Sequence, residues 1–338
     1  MLTEIRRNHF DGHMSIISKT DDSDSHNKNP YEHGNEDLTK PSVTSFVQKD
    51  GMLCMRRDTE NNLVKDWIVR IFEKNNPILS TSPRMTYGDI PHPSQPAYGY
   101  HYTAVVSPKD SKGLTTLGAE HWSNILVGMQ NRMIWLYEQK NIVYVGVYGN
   151  HGKAAGSDNA IPHLNMIGLA VIPPNIEREI QALTKILEER DECAMCQLIS
   201  TETKGPRRVH ETDGFFAFCP WSSRHDHEFW IAPKKHSTMF TKITQKEIKD
   251  LAGMMRITLG GLSRHLNDPA CNIVFHFSPE TKKRKHIHWH VEVYPIETVW
   301  SGLERGYGIF VNSLSPETAA AKLAKACRNE IASIEGII

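Results

Sequence analysis

Apolar and polar positions recur with two different periods along this chain, and the change of period marks its elements. Period-two alternation and short apolar runs bounded by turn residues predict strands at 66–72, 100–106, 142–147 and 163–172. A 3.6-residue period predicts a long amphipathic helix at 119–140, with Trp122, Ile125, Leu126, Met129, Met133, Ile134 and Leu136 on its apolar positions. Pro173 and Pro174 stop the fourth strand, and a helix follows at 176–190. The order then recurs: strands at 214–220 and 228–232, a helix at 245–266, strands at 272–277 and 286–294, and a last helix at 316–328 with Ser315 as its N-cap. Residues 18–45 are rich in Asp, Ser, Asn and Pro and predict a long, partly disordered surface segment; 77–96 predicts a second proline-rich connection. The first firm strand is therefore 66–72. Strands interleaved with long helices give an α+β class with an antiparallel sheet flanked by helices.

The strand at 286–294 carries His286, His288 and His290 at alternate positions, followed by Glu292. Alternation puts all four on one face and Ile287, Trp289, Val291 and Val293 on the other. A weaker copy stands earlier, at Ile161-Pro-His163-Leu-Asn165. Each copy follows a matching phrase, Val105-Val-Ser-Pro-Lys-Asp110 and Trp230-Ile-Ala-Pro-Lys-Lys-His236, by 51 positions from Asp110 to Ile161 and 52 from His236 to His288. The agreement predicts a tandem duplication, with one repeat at 1–175 and the other at 176–338. It also registers the copies: His163 with His290, Ile161 with His288, and Asn165 with Glu292.

With 338 residues, room exists for two repeats with substantial cores. A formal net charge of zero supplies no field to draw a nucleic-acid backbone or an acidic membrane. Neither a long apolar run nor a signal-peptide core is seen, so a soluble, cytoplasmic protein is expected. Six cysteines are present, and only Cys193 and Cys196 are closely spaced, which excludes a disulfide framework.

Cys193-Ala-Met-Cys196 has the spacing of a zinc-binding thiolate pair, and the repeat offers His236 and His288 to complete it. Four protein ligands would make such a zinc structural. The equivalent positions of the first repeat are Asn29, Glu32, Asp110 and Ile161, so no zinc is expected there; instead the polar side chains are expected to hydrogen-bond one another.

The loop Asn150-His-Gly152-Lys153-Ala-Ala-Gly156-Ser157 lies just before the strand of His163. Glycines let backbone N–H groups approach phosphate oxygens, and neutral imidazole attacks phosphorus near pH 7. His163 is therefore a candidate nucleophile, with Asn150, Gly152, Gly156, Ser157 and Asn165 as candidate phosphate contacts. A rival site exists in the second repeat, with His290 in the nucleophile's register, Glu292 beside it, Asn272 upstream, and Lys282, Lys283, Arg284 and Lys285 near by.

Taken together, Glu4-Ile-Arg-Arg7, His33-Gly-Asn-Glu36, Trp67-x-Val-Arg70, Asn150-x-Gly-x-x-x-Gly156, Pro162-His163, Cys193-x-x-Cys196, Lys235-His236-Ser, His288-Trp-His-Val-Glu292, Gly302-Leu-Glu304 and Gly306-x-Gly308 carry a resemblance. The chain resembles the galactose-1-phosphate uridylyltransferase branch of the histidine-triad superfamily, almost end to end. The resemblance implies that His163 becomes nucleotidylated and passes the nucleotide to a phosphate-bearing acceptor in a ping-pong cycle. It implies a nucleotide or nucleotide-sugar substrate, phosphate or a sugar phosphate as its partner, and a homodimer in which the 304–308 segment reaches across the interface. Asn165 takes the place of the family's glutamine.

Two departures stand out. Ile161 replaces the first histidine of the family's His-Pro-His motif, and Asp158 replaces a phosphate-holding serine. An aspartate there opposes a phosphate dianion unless it points away or pairs with a lysine. Uridylyl transfer to galactose 1-phosphate is one reading. Adenylyl transfer, as in ADP-glucose phosphorylases, diadenosine tetraphosphate phosphorylases or adenylylsulfate:phosphate adenylyltransferases, is another. A non-catalytic nucleotide-binding descendant and a histidine-triad hydrolase complete the set.

Overall fold

The computed structural model describes residues 3–18, 28–84, 92–107, 113–279 and 288–337. In the first part of the chain lie β1 (Thr3–Arg7), β2 (Met14–Ser18), β3 (Ser42–Lys49), β4 (Met52–Arg56), β5 (Trp67–Glu73), β6 (Ser94–Pro96), β7 (Gly99–Val105), α1 (Ala119–Glu138), β8 (Tyr144–His151) and β9 (His163–Leu169). After α2 (Pro174–Arg190) and α3 (Ala194–Glu202) come β10 (Arg208–Glu211), β11 (Phe215–Phe218), β12 (Phe229–Pro233), α4 (Gln245–Leu266), β13 (Cys271–His276), β14 (His290–Pro295), α5 (Gly302–Tyr307) and α6 (Pro316–Ile334).

Eleven strands form one antiparallel sheet in the order β10-β11-β12-β14-β13-β8-β9-β7-β5-β3-β4, and β2-β1-β6 form a small separate one. The large sheet reads the same way outward from its β8–β13 centre, as a duplicated unit requires. Tyr148 pairs with Val274 across that centre. On one side Tyr148 also faces Asn165, and on the other Val274 faces Glu292. Asn165 and Glu292 thus hold equivalent places, and so do His163 and His290 two residues before them.

The helices α1, α4 and α6 share a core with the sheet, built from Trp122, Leu126 and Met129 of α1, Leu251 and Met255 of α4, and Leu323 of α6. Burying each such side chain contributes roughly 1.5–3 kcal/mol. Ile134 breaks the expected pattern: it stands 43% exposed, next in sequence to the buried Met133 and about 100° round the helix from it, outside the apolar stripe of α1. The sequence bounds of α4 are met at both ends by caps. Thr244 and Glu247 form a reciprocal capping box, and Asn267 closes the helix in the left-handed conformation at φ 57°. Ser315 caps α6 by accepting from the Thr318 N–H, as expected.

Structure begins earlier than the pattern of apolar residues indicates, with four strands before β5. In β3 the buried positions include Ser42, Thr44 and Ser45, and the two serines are paired. Ser45 Oγ donates to Ser42 Oγ, and the Ser42 N–H donates to Asp58 Oδ2. Hydropathy is blind to a strand buried through its hydroxyls. Within the segment expected to be a polar surface stretch, Tyr31 and Glu36 are buried, and the Trp67 indole N–H donates to Glu36 at 2.8 Å. Among the described residues no helix is long and apolar enough to cross a membrane.

Candidate active site

His163 opens β9 and is almost wholly buried. Its Nδ1 donates to the carbonyl of Ile161 at 2.9 Å, so the proton sits on Nδ1 and the lone pair of the neutral ring is on Nε2. Nε2 lies 3.0 Å from Oδ1 of Asp158, outside the angles of a hydrogen bond. Asp158 in turn pairs with Lys74 at 2.6 Å, at the end of β5. The contact with His163, and then the Lys74 ammonium, hold the Asp158 carboxyl well below the usual carboxylate range. The edge of the Tyr31 ring packs on the His163 imidazole, with centroids 5.2 Å apart.

The glycine loop sits against this strand. Gly152 (φ 80°) and Gly156 (φ 83°) occupy left-handed backbone, where a side chain would be strained. A Cβ on Gly152 would also meet Ala270 at 3.0 Å. Asn150 Nδ2 donates to the carbonyl of Gly156, while its Oδ1 accepts from Asn272 Nδ2 at 2.9 Å. Asn272 also donates to the carbonyl of Ala155. Although it lies in the second repeat, Asn272 braces the loop of the first. Ser157 Oγ donates to the carbonyl of Asn159. Lys153 is exposed.

Asn165 is oriented by His101. The Ile78 N–H donates to His101 Nδ1 (3.4 Å), which leaves the proton on Nε2 to donate to Asn165 Oδ1 (3.1 Å). That contact turns the Asn165 amide nitrogen away from His101 as a donor. Burial, and then the nearby Lys74 charge, push His101 down to about 4, so it is neutral at pH 7.

The second repeat holds a different cluster. His290 Nε2 contacts Glu292 Oε1 at 3.0 Å, and Nδ1 lies 3.3 Å from the carbonyl of His288. His276 bridges Glu179 (2.9 Å) and Glu292 (3.4 Å). Burial opposes a charge on His290, yet Glu179 and Glu292 outweigh it and raise the imidazole to about 9. Glu179, His276 and His290 offer ligand atoms close enough together for a metal. Glu179 and His276 escaped the sequence reading, yet a signal existed. Two positions along from Tyr148 and Val274, the duplication aligns His276 with Asn150. One extra residue between His276 and His290 hides this from simple spacing. From His163 to His290 the sheet spans three strand spacings, about 14 Å, so the two candidates belong to separate sites.

Cys193, Cys196, His236 and His288 come together as a fourfold group whose ligand atoms all lie within 4.8 Å of one another. Cys196 Sγ is 3.5 Å from Nδ1 of both His236 and His288. Zinc bonds of about 2.0–2.3 Å in a tetrahedron give edges of roughly 3.5 Å, so the donors fit. His288 Nε2 donates to the Pro233 carbonyl at 2.8 Å, which leaves Nδ1 free to ligate. Burial, and then Cys193 beside it, push the Cys196 thiol up to about 11, a cost that a bound cation reverses. His288 precedes β14, so it serves this group while His290 and Glu292 serve the other. His286, Asp110 and the cations at 282–285 lie outside the described residues.

Among the described residues, the corresponding place of the first repeat holds no such group. Ile161 is buried with Tyr31, Trp67, Phe72 and Val105 in an apolar cluster. Asn29 bonds to Asn159 through a reciprocal pair, each amide nitrogen donating to the other's oxygen at 2.8 Å. Asn159, which the sequence pattern did not single out, is thus the side-chain partner of Asn29, and the Glu32 N–H donates to the Asn29 carbonyl at 3.2 Å.

A duplicated antiparallel sheet with a histidine at the head of an inner strand defines the uridylyltransferase class of fold. A solved uridylyltransferase superposes with a TM-score of 0.84 at 23% identity, covering 96% of this chain and 99% of its own. An ADP-glucose phosphorylase from Arabidopsis thaliana, solved with ADP-glucose, gives 0.74 at 22% identity, covering 96% and 99%. In sequence, the chain is 26% identical over 262 residues to ADP-glucose phosphorylase of Arabidopsis thaliana, spanning 75% of this chain and 73% of that one. It is 27% identical over 191 residues to galactose-1-phosphate uridylyltransferase of Thermotoga maritima, spanning 54% and 60%. No family model matches the chain. The chain is a homologue of these enzymes.

Proposed function

We propose that this protein is a nucleotidyltransferase working through a covalent nucleotidyl-His163. The observation that carries the reading is the state of the two histidines. The Nδ1 proton of His163 is anchored on a carbonyl and its Nε2 faces Asp158, an exposed and displaceable side chain, whereas the nitrogens of His290 are held by the buried Glu292 and by the His288 carbonyl. Nε2 attacks the α-phosphorus of a nucleotide donor; the N–P bond forms as the bond to the bridging oxygen breaks, and that oxygen leaves with its electron pair. An oxygen of phosphate or a sugar 1-phosphate then attacks the same phosphorus, and the N–P bond breaks to restore His163. Asn150, Gly152, Gly156 and Ser157 line the loop that would take the phosphate oxygens, with Asn165 donating from the strand. His290, Asn272 and Glu292 act in support: Asn272 by bracing Asn150, the other two within the Glu179–His276 cluster.

ADP-glucose as donor and inorganic phosphate as acceptor form the second reading, favoured by the length of the match to an ADP-glucose phosphorylase. The four-ligand group of Cys193, Cys196, His236 and His288 would hold a structural zinc, fixing the start of α3 to the strand β12. The two repeats, 1–175 and 176–338, form the working unit, and a cytoplasmic homodimer is the assembly we expect. Exposed Trp300, Leu303 and Tyr307 around α5 supply an apolar surface for it. The test is intact-protein mass after incubation with UDP-glucose and with ADP-glucose, each without acceptor. A gain of one nucleoside monophosphate, mapped to His163, names the nucleotide; no gain with either donor overturns the reading.

A further inference from the structure

We infer that the Asn29–Asn159 amide pair is the device that positions His163, standing where the second repeat has its four-ligand group. The inference rests on His163 being the reacting residue. In the second repeat His288 lies two positions before His290, and its ring joins Cys193, Cys196 and His236. At the matching position of the first repeat stands Ile161, which has no ligand atom. Yet the carbonyl of Ile161 is what holds the Nδ1 proton of His163, so the backbone at this residue must be fixed by something else.

The structure supplies a continuous relay. Asn29 Nδ2 donates to Asn159 Oδ1, and Asn159 Nδ2 donates back to Asn29 Oδ1. The same Asn159 Oδ1 accepts from the Ile161 N–H at 2.8 Å. The Ile161 carbonyl then accepts from His163. Asn29 adds a second arm, since its Oδ1 accepts from the Tyr31 N–H at 3.0 Å, and the Tyr31 ring packs on the His163 imidazole. Two asparagines 130 positions apart therefore set both the hydrogen bond and the ring contact of one imidazole. The apolar side chain of Ile161 meanwhile seals the cluster beneath. A pair of amides is uncharged and needs no cation, so His163 is expected to keep its geometry when metal is stripped from the protein.

Asn29 and Asn159 touch no reacting atom and are positioning residues. In Asn159→Ala the relay is cut at its middle. In Asn29→Asp the reciprocal donor is lost with the side-chain shape kept. Misplacement of a nucleophile by about 1 Å costs on the order of 100-fold in rate. Single-turnover labelling with ADP-glucose and with UDP-glucose is expected to slow 10- to 100-fold in Asn159→Ala and less in Asn29→Asp. Donor binding, measured by calorimetry, should change less than about threefold. The Nδ1-bound proton of His163, seen by ¹⁵N-resolved NMR, should be protected in the parent and lose protection in Asn159→Ala. Unchanged labelling rates with a protected proton in both variants would overturn the inference. Should the parent itself label at neither donor, the reading of function fails, and the proton's protection alone still decides whether the amide pair holds His163.

Discussion

Oδ1 of Asp158 stands 3.0 Å from Nε2 of His163, the nitrogen that the proposed reaction brings to phosphorus. Its negative charge is matched by Lys74 on the other side. An aspartate at this place is therefore tolerated because it pairs with a lysine, the escape that the sequence already required. A donor phosphate has to displace it from His163. Asp158 is 54% exposed, so screening limits the like-charge penalty to on the order of 1 kcal/mol. Asp158→Ser, which removes the charge and keeps a hydroxyl, is expected to raise the second-order rate of His163 labelling about fivefold. A stopped-flow labelling series over donor concentration checks this. A slower variant would show that Asp158 assists the reaction.

Removal of the imidazole separates the two histidine candidates. His163→Gly should abolish nucleotide transfer, a loss of at least about 1000-fold, while circular dichroism stays near that of the parent. His163 is buried, so the cavity costs some stability, on the order of 1–3 kcal/mol. Near-normal turnover in this variant would move the covalent step to His290.

The sequence made the fold legible where apolar periodicity is strong. The bounds of α4 follow from Thr244, Glu247 and Asn267, which cap locally and need no tertiary information. The duplicated register was legible too, because matching phrases recur at nearly equal spacing. What stayed hidden was polar burial. β3 is buried through Ser42, paired to Asp58, and Ser45, paired to Ser42, and Asn159 reaches Asn29 across 130 positions, a contact that neither propensity nor spacing encodes. Glu179 sits in an amphipathic helix and His276 in a strand, each a single titratable residue until the fold brings them to His290.

A zinc held by the second repeat would have a stability consequence. Cys193 begins α3 and Cys196 lies one turn on, while His236 follows β12 and His288 precedes β14. A metal there ties a helix to two strands that are far apart in sequence. Cys193→Ser should lose bound zinc, measured by elemental mass spectrometry, and several kcal/mol of stability. Equal melting temperatures for parent and variant, with no zinc in the parent, would remove the assignment.

His101 makes stability depend on acid. Its folded value is about 4 and that of an unfolded histidine about 6.5. Below pH 6.5 the unfolded chain takes a proton that the buried, neutral His101 refuses, so stability falls with pH and goes on falling until about pH 4. Each pH unit across that window costs up to about 1.4 kcal/mol, for a total of about 3 kcal/mol. Protonation would also break the bond from the Ile78 N–H to Nδ1, and with it the tautomer that orients Asn165. His101→Gln keeps an acceptor and a donor but has no proton to take up. Urea unfolding of parent and variant at pH 7 and pH 4.5 should show the parent losing about 2 kcal/mol more than the variant. Other acid-sensitive groups, the zinc ligands included, act on both proteins alike and cancel in the difference. Parallel losses would mean that His101 charges as readily in the folded protein as in the unfolded chain, and that the Asn165 amide is held by something other than a neutral imidazole.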